Sequence, residues 1–164
     1  MENSSREVLL IAGLDLLGEC GFTGWSMRRV EDAAGVPHGT ARHHFSNQRG
    51  LIFAMVRHLL SVDQPAENET PHQQITRWLG VESGWTRARY ELIVASFHDE
   101  ELARELVGAR DRLVSVLVSR GMARDDAACV AASLDGLVLD AVLRRSPAES
   151  VDAEALIAKW QPAQ

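Results

Sequence analysis

Apolar residues recur at three- and four-residue steps along almost the whole chain, and β-branched residues nowhere alternate with polar ones over a useful length. The first pattern lays an apolar stripe along an α-helix; the second is what a half-buried strand would need. The expected fold class is therefore all-α, with about nine helices. Val8, Leu9, Ala12, Leu16 and Leu17 trace the stripe of a first helix over residues 5–19, capped by Ser4 or Ser5 and stopped at Gly21. Ser26 offers a hydroxyl cap to a second helix, "MRRVEDAA", that runs to Gly35. Pro37 suits the first turn of a third, "HGTARHHF", and Ser46 or Asn47 caps a fourth, "RGLIFAMVRHLLS". The polar stretch "VDQPAENETP", residues 62–71, reads as a linker, and five further helices are expected near 71–80, 84–98, 100–120, 125–145 and 152–160.

The segment "AAGVPHGTARHHF", residues 33–45, carries the most chemistry. A helix broken by glycine and proline and followed at once by a short second helix is the helix-turn-helix pattern. There the second helix enters the DNA major groove, roughly 12 Å wide, with its first residues toward base edges and phosphates. His38, Thr40, Arg42 and His43 all carry hydrogen-bond donors for that task, Gly39 allows close backbone approach, and the helix N-terminus favours a phosphate. Phe45 and Val36 would anchor the helix beneath. The residues alone leave a second reading open, a compact helical hairpin with solvent-facing polar side chains.

Charge is distributed unevenly. The net charge is −6, yet residues 1–60 balance six arginines against six acids and hold four of the six histidines. The excess of acid lies wholly in residues 61–164, where 11 basic groups face 17 acidic ones. The first segment can approach a polyanion and the second is kept off it. No window approaches 18 uninterrupted apolar residues and no basic, then apolar, leader opens the chain, so neither a membrane span nor a signal peptide is expected, and the location expected is cytoplasmic. Cys20 and Cys129 form no C-x-x-C pair and read as small side chains rather than a disulfide or metal site.

Residues 6–57 resemble the DNA-binding domain of the tetracycline-repressor (TetR) family of transcriptional regulators. Leu9, Ala12, Leu16, Gly21, Ser26 and Val30 carry the first part of the match. The pattern "AGV-x-x-GT-x-x-x-HF", from Ala34 to Phe45, and then Leu51 carry the rest. "RARYELIVASFHDEELARELV" and "AASLDGLVLDAVL" are similar to the middle and penultimate helices of that family's ligand-binding and dimerisation half. The resemblance implies a helix-turn-helix domain at residues 1–48 and an effector-binding and dimerisation domain at 49–164. It implies DNA contacts from Ser26, Arg28, Pro37, His38, Gly39, Thr40, Arg42, His43, Gln48 and Arg49. Arg42 stands where many relatives carry an aromatic residue, and Gln48 and Arg49 replace the family's usual lysine and following acid. Arg42 and Arg49 are expected to supply the charge that the lysine gives elsewhere.

Other clusters are weighed on their own chemistry. Adjacent His43 and His44 point about 100° apart on a helix and lack a third ligand at helical spacing, so no metal and no cofactor are expected. His44 is expected to be packed or bonded to backbone. Trp78, Trp85, Tyr90, Phe97 and His98 can surround a small effector pocket or simply fill a core. The helix near 125–145 is apolar over most of its circumference and needs partners on two sides. Ala131, Leu134, Leu137, Val138 and Ala141, with Leu156 and Trp160 of the last helix, are expected to form a four-helix dimer interface.

The function expected is a homodimeric regulator, a repressor that reads a palindromic stretch of double-stranded DNA and is released by a small-molecule effector. The rival is an all-helical carrier or enzyme without DNA binding. No G-x-S-x-G, phosphate-binding loop or dinucleotide fingerprint supports an enzyme. Asp99, Glu100 and Glu101 beside His98 look like a capped helix start rather than an acid–base pair.

Overall fold

The computed structural model describes residues 4–64 and 69–160. Its elements are α1 (Ser5–Gly24), α2 (Met27–Ala33), α3 (Thr40–Phe45), α4 (Gln48–Val62), α5 (Pro71–Leu79), α6 (Ser83–Ser96), α7 (Glu100–Ser119), α8 (Arg124–Arg144) and α9 (Ala153–Ala158), with a 3-10 turn at Ala148–Ser150. No strand occurs among the described residues, so the all-α expectation holds. Of the expected linker, residues 65–68 lie outside the described residues. No described helix is long and apolar enough to cross a membrane.

Local signals place most of the helix starts. Asn47 Oδ1 accepts from Gly50 N at 2.9 Å and opens α4. Thr70 and Gln73 form a reciprocal capping box ahead of Pro71 at α5. α1 runs past its expected end to Gly24, but not as one regular helix. Gly21 takes φ 61°, ψ −179° and kinks it, a conformation a residue with a Cβ rarely adopts.

The chain forms two compact units. The first holds the described residues within Met1–Gln64 and Gly84–Leu106; the second holds those within Pro65–Ser83 and Val107–Gln164. α4 and α6 thus belong to the same unit as the helix-turn-helix, and this unit runs beyond the boundary expected at residue 48. Leu9, Leu14, Leu17, Val30, Leu51, Met55, Val56, Leu59 and Leu92 are the largest of its fully buried apolar side chains. Trp25 Nε1 donates to the Gly13 carbonyl at 3.0 Å, which ties the α1–α2 corner to the middle of α1. α6 lies against α1 so closely that a Cβ on Gly18 would fall 1.9 Å from the Gly84 carbonyl oxygen. Arg87 Nε donates to Gly18 O at 2.9 Å, and Trp85 Nε1 to Asp15 Oδ1 at 2.6 Å, fixing that contact.

The second unit packs Val114, Leu117, Met122, Ala127, Val130 and Ala131 of α7, α8 and the turn between them, with Leu134 and Ile157 at the edge. Arg77 on α5 bonds Glu69 at 2.9 Å and Glu82 at 2.8 Å.

Candidate nucleic-acid interface

Backbone chemistry builds the α2–turn–α3 segment one residue at a time. Ser26 Oγ accepts from Arg29 N at 3.3 Å and starts α2. At the other end Gly35 takes φ 65°; its N–H donates to Asp32 O at 3.2 Å, and Val36 N–H reaches back to Glu31 O at 3.1 Å. That pair of bonds is a Schellman stop, which needs a left-handed residue and therefore glycine. Gly39 turns the chain again at φ 94°, and Thr40 begins α3.

Pro37 is consequently not in the first turn of the third helix. Its carbonyl accepts from Thr40 N at 3.2 Å and from Thr40 Oγ1 at 2.6 Å, so it belongs to the connecting turn. The left-handed step at Gly39 separates the two. The N-terminus of α3 is also not open to a phosphate. Buried Glu31 on α2 places one oxygen, Oε1, 2.9 Å from Gly39 N and 2.8 Å from Ala41 N. Sequence reasoning missed this residue, because an acid eight and ten positions ahead of its partners leaves no local signature.

α3 turns Ala41 and Phe45 inward and leaves Arg42, His43 and His44 exposed. His44 is not packed beneath: its ring meets His43 at 5.3 Å and Phe45 at 6.1 Å from the outside. His38 Nε2 sits 2.6 Å from Asp32 Oδ1, so α2 holds the turn on its outer side too. Arg29 bonds the Gly24 carbonyl. Arg28 and Arg42 are exposed, and among the described residues neither guanidinium has a hydrogen bond or ion pair.

Gln48 is exposed at the first position of α4. Its neighbour Arg49 is not free. Its guanidinium bonds Asp99 at 3.1 and 3.2 Å and Glu101 at 2.9 Å, and lies 4.5 Å from the centre of the Phe53 ring. Asp99 also caps α7 by accepting from Leu102 N and Glu101 N, each at 3.1 Å. The Leu102 amide first, and then Arg49, hold the Asp99 carboxyl below its ordinary pKa. An open groove of about 700 Å³ runs along α4 between Arg6, Arg49, Arg57 and His58. Arg57 in it pairs with Glu105 at 2.7 Å, so most of its cations already have carboxylates of this chain.

The remaining candidates are dispersed. Trp78 is buried on α5 of the second unit. In the first unit Trp85 bonds Asp15 and faces His58, Tyr90 is half-buried on α6, and Phe97 and His98 lie exposed beyond the end of α6. On α8, Ala131, Val138 and Ala141 are buried within the single chain, and Leu134 joins the core, so these four face inward rather than toward a partner. Leu137 is partly exposed, Leu156 half-buried and Trp160 exposed. The outward stripe of α8 is Cys129, Ala132, Gly136, Leu139 and Leu143, and Leu137 beside it is as exposed as Leu139. No group of three or more His, Cys, Asp or Glu is placed to hold a metal among the described residues.

Residues 9–55 match the family model for bacterial regulatory proteins of the tetR family, and residues 69–160 match the tetracyclin repressor-like C-terminal domain. The chain belongs to the tetR family. It is 29% identical to the HTH-type transcriptional regulator BetI of Brucella melitensis over 96% of this chain and 89% of that protein. It is 26% identical to BetI of Klebsiella pneumoniae, covering 95% and 91%. Among solved structures, a TetR-family member from Streptomyces coelicolor superposes with a TM-score of 0.83 at 23% identity, covering 98% and 100%. The multidrug binding protein EbrR complexed with imidazole gives 0.74 at 22% identity, covering 99% and 98%. The protein is thus a TetR-family helix-turn-helix transcriptional regulator; its family consists of DNA-binding proteins that are not enzymes.

Proposed function

We propose that this regulator is a homodimeric repressor that holds a palindromic operator and leaves it when a small molecule binds the helical half. The observation that carries the reading is α3 itself, which buries Ala41 and Phe45 and exposes Arg42 and His43, Arg42 with an unpaired guanidinium. Arg28 on α2 is exposed and unpaired as well, and Gln48 is exposed at the start of α4. Arg28 and Arg42 take phosphates, and His43 and Thr40 take base edges. Ser26, Pro37, His38 and Gly39 shape the turn that presents them. Arg49 serves the head through its bond to the α7 start, and it reaches a phosphate only by giving up Asp99 and Glu101.

Two copies pair through the outward stripe of α8, with Leu137, Leu156 and Trp160 at its border. A palindromic operator with half-sites one helical turn apart requires heads roughly 34–36 Å apart or somewhat more. Trp85 and Tyr90, both on α6 within one unit, are the candidates retained for effector contact. EbrR has been crystallised with ethidium and with malachite green. The acidic balance of residues 61–164 suits flat cations of that kind, which are the first effectors to try.

The test is titration of a duplex carrying the region upstream of the protein's own gene, with and without such cations. The wild type should bind and the cation should release it. Arg42→Ala should weaken binding and reduce the slope of log affinity against log salt by roughly 0.9, one phosphate contact. An unchanged slope removes Arg42 from the interface, and a wild type that ignores both specific and unrelated duplexes ends the DNA-binding reading.

A further inference from the structure

α3 is too short to hold itself. Six residues form barely more than one turn, and isolated helices of that length are not stable in water. Its N-cap, Gly39, has no side chain and offers no cap of its own. The amides must be satisfied from elsewhere, and they are. Thr40 N and Thr40 Oγ1 go to Pro37 O, while Gly39 N and Ala41 N both go to the single atom Glu31 Oε1. Glu31 is 4% exposed and has no cation partner among the described residues. A carboxylate buried in this way is strongly unfavourable unless it is hydrogen-bonded, so the two amides and the acid hold each other in place.

We infer that Glu31 is the positioning residue of the reading helix: its carboxylate clamps the first turn of α3 to α2 and sets the rotation and depth at which Thr40, Arg42 and His43 meet DNA. The inference rests on reading α3 as the helix that enters the groove. Two features give the clamp that role. It grips the residues on either side of Thr40, so loss of the clamp turns the whole exposed edge rather than one side chain. It also fills the amide positions at the start of α3 with a negative charge of the chain's own. A DNA phosphate is thereby excluded from that end, and backbone contact is left to the free guanidiniums of Arg28 and Arg42. Asp32, the next residue of α2, holds His38 from the outer side, so consecutive acids fix both faces of the turn.

The chemistry distinguishes clamp from charge. Both bonds use Oε1, and a glutamine carries a carbonyl oxygen at that position, so Glu31→Gln keeps the acceptor of both bonds while it loses the charge and turns the other oxygen into an NH2 group. Glu31→Ala loses both. The experiment selects duplexes from a randomised library with full-length wild-type protein. It then measures the affinity of wild type, E31A and E31Q for the selected duplex and for a scrambled one at several salt concentrations. Amide hydrogen exchange at Gly39 and Ala41 is followed in the same three proteins without DNA.

E31A should lose at least about tenfold of its preference for the selected over the scrambled duplex, the scale of one specific base contact, with its salt slope on the scrambled duplex unchanged. E31Q should keep that preference within about threefold, with the two amides still protected. E31A should leave both amides unprotected. Wild-type selectivity in E31A overturns the inference, as does equal loss of selectivity in E31Q with its amides protected. If E31A does not fold, E31Q and the exchange data decide alone. If the wild type selects no duplex, the regulator reading fails instead; the exchange data then still show whether Glu31 holds α3, and rapid exchange at Gly39 and Ala41 in the wild type overturns the clamp itself.

Discussion

His58 stands where the stability of the first unit meets pH. It lies half-buried on α4 with its ring 5.6 Å from that of Trp85, edge to face. Burial is the largest influence on it and lowers its pKa below the ordinary 6.5; Glu7 acts in the opposite sense and Arg6 in the same one. A histidine with a lowered folded pKa is neutral in the folded protein while the unfolded chain already binds a proton. Stability is therefore unaffected above about pH 6.5 and falls as pH drops through the window between that value and the folded one. Thermal unfolding of wild type and His58→Gln across that window should show a wild-type melting temperature that declines more steeply toward acid. Parallel curves for the two proteins would remove His58 as the cause.

At the scale of elements, the seating of α6 on α1 makes the sharpest demand. The Gly84 carbonyl occupies the space a side chain at Gly18 would need, so Gly18→Ala must push α6 away or bend α1. Overpacking of this kind costs about 1–3 kcal/mol, which urea unfolding will register. A variant as stable as the wild type would show that the two backbones do not approach so closely. Nothing at Gly18 announces this in the sequence, where it is one more small residue in an amphipathic helix. The legible parts are those governed by neighbours within four residues: the caps at Ser26 and Asn47, the break at Gly35, the acid-capped start of α7. The parts that escaped depend on distance along the chain. α3 starts three residues later than Pro37 implies, because Gly39 is left-handed and Glu31 caps from α2. Arg49, expected to meet phosphate, finds Asp99 fifty residues away. Phe97 and His98 follow the aromatic pattern of α6 but fall after its last turn, where the helix no longer directs them.

For the whole molecule the decisive question is which side of α8 a second copy covers. A helix apolar around most of its circumference does not declare its faces, and residue types alone pointed to Ala131, Leu134, Leu137, Val138 and Ala141. Burial divides that set: Ala131, Val138 and Ala141 are 1%, 1% and 4% exposed in the single chain, while Leu137 is 39% exposed, beside Leu139 at 38% and Leu143 at 73%. An arginine at Leu143 meets only water in an isolated chain and should leave helicity and melting temperature nearly unchanged. In a dimer built on the outward stripe it meets its own copy across a two-fold axis, as an unpaired charge against an apolar face. Sedimentation should then give a monomer for Leu143→Arg and a dimer for the wild type. Affinity for a palindromic duplex should fall by roughly 10²–10⁴, because each head then binds without the effective concentration the other supplies. Val138→Arg is the contrasting variant; it forces a charge into the chain's own interior and should unfold the second unit, whatever the state of assembly. A Leu143→Arg protein that stays dimeric with full affinity would move the interface off this face and onto another pair of helices.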